Sequence, residues 1–252
     1  MRHLFSPAGE RALDTVLRRQ PLLAFDFDGT LAPIVARPDD AKVSRALAHW
    51  LEQLARLRPV AIVTGRSVAD VTPRLGFEPR FIIGNHGAED PARAPSIAAG
   101  TGLESLRRQL AGQSAELQAA GVQIEDKQYS MALHYRLARD RGRAEATIAQ
   151  TLQGLDPALH AFGGKCVVNI VEAAAPDKGD AVIELVRATG ADSALFVGDD
   201  VNDEAVFVRA APDWLTVRIG LDNPESSARY FLNCHAEMAA LLQKMLQILE
   251  TA

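Results

Sequence analysis

The sequence predicts a parallel-sheet α/β core interrupted by a smaller α+β unit. Three observations lead there. Short, bounded apolar runs recur, each ending in a polar turn and alternating with helical patterns. A stretch of prolines and small residues breaks this pattern at Asp90–Gly102, where Pro91, Pro95, Gly100 and Gly102 cluster. Apolar residues then recur with a period of two, as in antiparallel strands, until the first pattern resumes near Asp177.

Taken in order, residues 5–19 read as a short helix, polar on one side. Leu22-Leu23-Ala24-Phe25 is a buried strand that stops at Asp26-Phe27-Asp28-Gly29-Thr30, where Gly29 permits a sharp turn. Its two aspartates stand at the carboxyl end of a strand, where open α/β sheets bind ligands. Acids so close repel unless a cation joins them, which points to a hard metal ion with oxygen ligands. Val43, Leu47, Trp50, Leu51, Leu54 and Leu57 mark a helix with one buried stripe, stopped at Pro59. Val60–Val63 is a second buried strand, ending in Thr64-Gly65-Arg66-Ser67. Phe81–Ile83 is a third, ending in Gly84-Asn85-His86-Gly87-Ala88-Glu89.

Beyond the break, residues 103–119 read as helical. Val122 and Ile124 alternate with Gln123 and Glu125. Met131, Leu133, Tyr135 and Leu137 alternate with Ser130, Ala132, His134 and Arg136, and Lys127-Gln128 lies near the turn between the two strands. A helix at about 141–153 and a strand at Cys166–Val171 complete the small unit. Asp177-Lys178-Gly179 then opens a helix closed by Gly190. Ala194–Val197 is a fourth parallel strand, ending in Gly198-Asp199-Asp200-Val201-Asn202-Asp203-Glu204. Leu215–Ile219 is a fifth, and Met238 to Leu249 form an amphipathic tail helix.

Composition excludes several classes. The 252 residues are 48% hydrophobic and 23% charged, an ordinary globular balance. No run approaches the roughly 20 apolar residues of a membrane span. Met1-Arg2-His3-Leu4-Phe5-Ser6-Pro7 lacks the apolar middle of a secretory signal. Cys166 and Cys234 form no framework or metal pattern, which favours the cytoplasm. A formal net charge of -5 without a basic block argues against nucleic acid, not against a phosphorylated small molecule. A monomer is expected.

The polar turns carry complementary chemistry. Thr64 can donate to a phosphate oxygen at a helix start, and Lys178 can neutralise a phosphoryl group in transfer. Asp199, Asp200 and Asp203 are suited to Mg²⁺, which takes a few carboxylates and keeps several waters. Singly, each has a plainer reading: an N-cap, a surface lysine, acids complementing a helix dipole.

In this order, with Asp-Phe-Asp-Gly-Thr first, the four elements resemble the four motifs of the haloacid dehalogenase-like (HAD) phosphatases. That resemblance implies a Rossmann-like parallel-sheet core over 1–93 and 173–252, with an α+β cap over 94–172 that sets substrate preference. It implies Asp26 as nucleophile, Asp28 as general acid and base, and Thr64, Gly65 and Lys178 as phosphate ligands. Mg²⁺ would bind the Asp26 carboxylate, the Asp28 backbone carbonyl and Asp199, with Asp200 and Asp203 as direct or indirect partners. The run Glu125-Asp126-Lys127-Gln128-Tyr129-Ser130-Met131-Ala132-Leu133-His134-Tyr135-Arg136 is similar to the cap motif of trehalose-6-phosphate phosphatases, and Gly84–Glu89 resembles another segment of that family. The implied substrate is trehalose 6-phosphate, held by Arg66, Asn85, His86, Glu125, Lys127, Ser130, His134, Arg136 and Asn169. One departure stands out. The family usually has a glutamate where Lys165-Cys166-Val167-Val168-Asn169 places Asn169, and Glu172 has the opposite strand parity. The rival readings are a phosphatase for sucrose or hexose phosphates, a catalytically inactive phosphosugar-binding regulator, and a phosphomutase. The cap motif favours trehalose, and the intact acids favour catalysis.

Overall fold

The computed structural model describes residues 1–93 and 101–251, so part of the expected linker, Pro95 and Gly100 included, lies outside the described residues. The chain divides into two compact units, Met1–Pro91 with Pro176–Ala252, and Ala92–Ala175.

In chain order the first unit contains β1 (Arg2–His3), α1 (Pro7–Leu17), β2 (Pro21–Phe25), α2 (Arg45–Leu57), β3 (Val60–Val63), α3 (Val68–Leu75) and β4 (Phe81–Ile83). The second contains α4 (Thr101–Gly112), α5 (Ser114–Ala119), β5 (Gln123–Asp126), β6 (Ser130–His134), α6 (Arg141–Thr151), β7 (Leu159–Gly164) and β8 (Val167–Glu172). The first unit resumes with α7 (Lys178–Thr189), β9 (Ser193–Gly198), α8 (Glu204–Arg209), β10 (Leu215–Ile219), β11 (Tyr230–Leu232) and α9 (Met238–Glu250).

The strands of the first unit pair in parallel in the order β1-β11-β10-β9-β2-β3-β4. Its central strands are buried on both faces, which is why they read as unbroken apolar runs. Leu23, Phe25, Val60, Ile62, Leu195 and Val197 pack into one core layer with residues of α1, α2 and α9. Leu22, Ala24, Ala61, Val63, Ala194 and Phe196 pack into a second layer with α7 and α8. Strand order reverses at β2, whose neighbours are β3 and β9. The carboxyl ends of β2 and β9 therefore meet at a topological switch point.

The second unit is an antiparallel sheet in the order β5-β6-β8-β7. Met131, Leu133 and Ile170 on one of its faces share a core with Leu103, Leu106 and Leu110 of α4, Leu117 of α5 and Ile148 of α6.

The structure departs from expectation in four places. Strands β1, β11 and β7 are additional; β1 and β11 are short, and β7 carries Gly163 and Gly164, which mute a strand signal. The helix expected over 103–119 breaks at Gln113, directly after the poor helix former Gly112. Strand β6 stops at His134, because its partner β8 turns away before Val167, at a Cys166 with φ of 63°. Tyr135, Arg136 and Leu137 thus leave the strand, and Leu137, expected on the packed face, is 61% exposed. Finally, β5 is an edge strand exposed along its length, so Ile124 contributes little burial.

Candidate active site

Asp26 continues β2, its N–H donating to the Val197 carbonyl of β9 at 2.9 Å. That step carries its side chain to the switch point, beside the end of β9 where Asp199 follows Gly198. Lys178 opens α7, whose N-terminus is fixed by a capping box between Asp177 and Asp180. Its ammonium donates to Asp26 Oδ1 at 2.7 Å and to Asp203 Oδ1 at 2.8 Å. The other oxygen of Asp203 accepts from the Asp199 and Asp200 N–H groups at 2.8 and 2.9 Å. Asp26, Asp199 and Asp203 are buried, and each offers an oxygen within 4.8 Å of the others. Two glycines make room. A Cβ on Gly29, which has φ of 82°, would lie 2.0 Å from Asp199 Oδ2; one on Gly198 would lie 2.3 Å from Asp203 Cγ.

The electrostatics are those of a crowded anionic pocket. Burial pushes the Asp26 carboxyl well above the usual carboxylate range, the Asp203 and Asp199 charges add to this, and Lys178 opposes it. Burial alone would lower the Lys178 ammonium, but Asp203 and Asp26 outweigh it and hold it above its ordinary value. Three buried carboxylates against one ammonium leave an excess of negative charge, which a divalent cation would neutralise. The donor set fits such an ion. Asp203 also bonds Lys178 and two backbone N–H groups, and each of Asp26, Asp199 and Asp203 offers an oxygen to such an ion. Asp200 does not join the cluster: its Oδ1 accepts from the Val201 N–H and caps the turn.

The Asp28 carboxylate points elsewhere. Arg66 grips it with two bonds, Nε to Oδ2 at 2.7 Å and Nη2 to Oδ1 at 2.8 Å. Arg66 also donates to Asp70 at 2.7 Å, and Asp70 accepts from Arg74 at 2.6 Å. Thr64 and Gly65 follow β3 at the same edge of the sheet. The Arg66 N–H donates to the Thr64 hydroxyl at 3.1 Å, and Gly65 lies against the His86 ring. Asn85 and His86 are buried in left-handed conformations, φ 49° and 61°. Such strain persists only where the surroundings hold it. Here the Asn85 N–H donates to the Arg66 carbonyl, the His86 N–H to the Thr64 carbonyl, and the Asn85 side chain to Glu89 at 2.7 Å.

In the second unit, register places Glu125 beside Ala132, Ala132 beside Asn169, and Asn169 beside Phe162. Ser130 and His134 share that face by the two-residue period. Glu125 Oε2 lies 2.7 Å from His134 Nε2 and 3.5 Å from Lys127 Nζ. Burial would raise the Glu125 carboxyl, but His134 and Lys127 outweigh it and hold it below its ordinary value. Ser130, expected on an open face, is 1% exposed. Parity places Arg136 on this face, but it lies past the end of β6 and donates instead to the Lys165 carbonyl at 2.9 Å.

Against known proteins, the family model described as trehalose-phosphatase matches residues 24–234. The chain belongs to the trehalose-phosphatase family. A trehalose-phosphate phosphatase of Mycobacterium avium (strain 104) is 34% identical over 254 residues, covering 94% of this chain and 65% of that relative. The chain thus spans just under two thirds of that relative's length. The C-terminal domain of a Candida albicans trehalose-6-phosphate phosphatase matches in fold, with a TM-score of 0.79 at 21% identity, covering 94% of this chain and 96% of that one. A haloacid dehalogenase-like hydrolase from Bacillus subtilis matches in fold at a TM-score of 0.63 and 16% identity, covering 88% and 98%. The two units are the HAD α/β core and its α+β cap fold. Among the described residues no helix is long and apolar enough to cross a membrane.

Within this trehalose-phosphatase framework, sequence reasoning missed several residues. Glu89, in a quoted segment but given no role, ties Asn85 to the Val68 N–H at the start of α3. Asp70 and Arg74 stand four and eight residues after Arg66, a helical spacing that signals their contact. Arg107 of α4 clasps the β5–β6 hairpin through Asp126 and the Gln128 carbonyl. Glu172 pairs with Leu159 on the opposite face from Asn169, so it does not replace the absent glutamate.

Proposed function

We propose that this chain is a Mg²⁺-dependent phosphatase that hydrolyses trehalose 6-phosphate to trehalose and phosphate. The observation that carries this is the buried group of Asp26, Asp199 and Asp203, with Lys178 bonded to two of them. In this reading an Asp26 oxygen attacks phosphorus, the bond to the sugar oxygen breaks, and an aspartyl-phosphate forms. Lys178 steers the Asp26 oxygen and balances the charge on the phosphoryl group. Thr64 and Gly65 bind the phosphoryl oxygens from the end of β3. Asp28, once released from Arg66 and protonated, gives its proton to the leaving sugar oxygen. As carboxylate it then takes a proton from the water that cleaves the intermediate. Mg²⁺ held by Asp26, Asp199 and the Asp28 carbonyl would supply electrostatic stabilisation of the phosphoryl charge. Asp203 positions Lys178 and the Asp199 loop.

Arg66, Asn85 and His86 would take the substrate from the core. Glu125, Lys127, Ser130, His134 and Asn169 would take it from the cap, which offers both donors and acceptors to sugar hydroxyls. The free thiols Cys166 and Cys234 accord with a cytoplasmic location, and a monomer suffices because both units belong to one chain. Asn169 in place of a glutamate favours one second reading, a phosphatase for another sugar phosphate. The test is phosphate release from a panel of sugar phosphates, with Mg²⁺ and with chelator, for the wild type and Asp26→Asn. Trehalose 6-phosphate should be hydrolysed most efficiently, only with metal, and not by Asp26→Asn. Turnover by a well-folded Asp26→Asn protein would refute the mechanism.

A further inference from the structure

The face of the β5-β6-β8-β7 sheet that carries Glu125, Ser130, His134 and Asn169 also carries two aromatic side chains. His160 pairs with Val171 and Phe162 with Asn169, so by register both lie on the face turned from the Met131, Leu133 and Ile170 core. Their rings are stacked, with centroids 5.8 Å apart and planes 21° from parallel. That geometry lies within the range of favourable aromatic stacking, so each ring backs the other and the pair holds an aromatic face in place. Across the strands the row runs Glu125, Ala132, Asn169, Phe162. At the usual strand spacing its ends are about 14 Å apart. Ala132, the smallest side chain in the row, and Asn169 lie buried between them. One end is therefore charged and hydrogen-bonding, through Glu125, Lys127 and His134. The other is flat, apolar and polarisable.

We infer that Phe162 and His160 form a stacking platform for one pyranose ring of the substrate. A pyranose has this same dual character: hydroxyls around its rim and C–H bonds on its faces. Hydroxyls need the hydrogen-bonding end, whereas a C–H face gains from contact with an aromatic π-surface. Asn169, uncharged and directly beside Phe162, can bond a hydroxyl at the edge of a ring lying on the platform. The inference rests on the reading of a sugar phosphate as substrate, and it assigns that substrate a contact in β7.

The experiment uses the full chain and the variants Phe162→Leu, Phe162→Trp and His160→Ala. Leucine keeps apolar bulk but has no π-face, so a packing role predicts wild-type behaviour where the platform predicts a loss. For Phe162→Leu, KM for trehalose 6-phosphate and the inhibition constant of trehalose should rise about tenfold, with kcat within twofold. Phe162→Trp should restore both, and His160→Ala should show a smaller rise. Hydrolysis of p-nitrophenyl phosphate, which has no sugar, should not change. Trehalose binding is also measured without turnover, by saturation-transfer NMR, where Phe162→Leu should weaken the transfer seen with wild type. Wild-type constants and wild-type transfer in Phe162→Leu would overturn the platform, as would equal losses on both substrates. A wild type that binds trehalose but releases no phosphate from its 6-phosphate would refute the phosphatase reading, while loss of that binding in Phe162→Leu would still support the platform.

Discussion

Replacing Lys178 by Met isolates the interaction on which the core site turns. Methionine matches the length and apolar stem of lysine, so the change removes a charge without opening a large cavity. The Lys178 side chain is 2% exposed, and its two partners are also buried. Removing one partner of a buried ion pair costs about 3–5 kcal/mol, because the remaining charge is left uncompensated. Part of that cost is absorbed here, since burial already holds the Asp26 carboxyl well above its usual range and it can take up a proton. A net loss of roughly 3 kcal/mol lowers the melting temperature by about 6–12 °C in a chain of this size. Thermal unfolding followed by circular dichroism reads this directly. Two further arms assign the cause. The double variant Lys178→Met with Asp203→Asn should recover part of the loss, because the orphaned carboxylate is gone. Added Mg²⁺ should stabilise Lys178→Met more than wild type, since the site is more anionic. Phosphate release should fall by at least a hundredfold. A melting temperature within about 2 °C of wild type, with phosphate release reduced less than tenfold, would refute the reasoning.

Three other outcomes are expected. Asp199→Ala should raise the Mg²⁺ concentration needed for half-maximal activity at least tenfold, read by metal titration of phosphate release. Lys127→Ala should lower kcat/KM for trehalose 6-phosphate about tenfold to a hundredfold through loss of a charge-assisted hydrogen bond, and leave p-nitrophenyl phosphate unchanged; Leu133→Ala, on the packed face, should instead destabilise the cap by about 2–5 kcal/mol in denaturant titration. Burial would raise the Asp70 carboxyl, but Arg74 and Arg66 hold it below 3.8. A lowered carboxylate stabilises the fold above its unfolded value and loses that contribution as pH falls through the folded one. Asp70→Asn should therefore destabilise by about 2 kcal/mol at pH 7, with the difference from wild type shrinking below pH 3.8.

The parallel core was legible because it is buried on both faces. Leu22–Phe25, Val60–Val63 and Ala194–Val197 have nowhere to expose a polar residue, so each stands out as a bounded run. Asp26, Asp199 and Lys178 were legible because each ends a strand or starts a helix with a polar group that has no packing purpose. Three strands were not legible. Arg2–His3 and Tyr230–Leu232 are too short for periodicity, and β7 mixes a histidine with two glycines. Parity failed at Arg136 for a different reason. Alternation is a local property, whereas strand length depends on the partner, and the partner turns at Cys166. The Arg66 grip on Asp28 and Asp70 joins three segments, and only its Asp70 half leaves a spacing signal.

Strand β2 lies between β3, its near neighbour in sequence, and β9, with Pro21 in register with Ser193. During synthesis its second edge must wait for the whole intervening unit to be made. At typical elongation rates that interval is on the order of ten seconds. Throughout it, a five-residue strand whose side chains end up wholly buried has one row of backbone donors and acceptors unanswered. The nascent chain is then most open to wrong pairings at the strand that leads into Asp26. A chain stalled or cleaved before Ser193 would carry Asp26 without Lys178's other partner Asp203 and without Asp199, leaving an open edge and no assembled site.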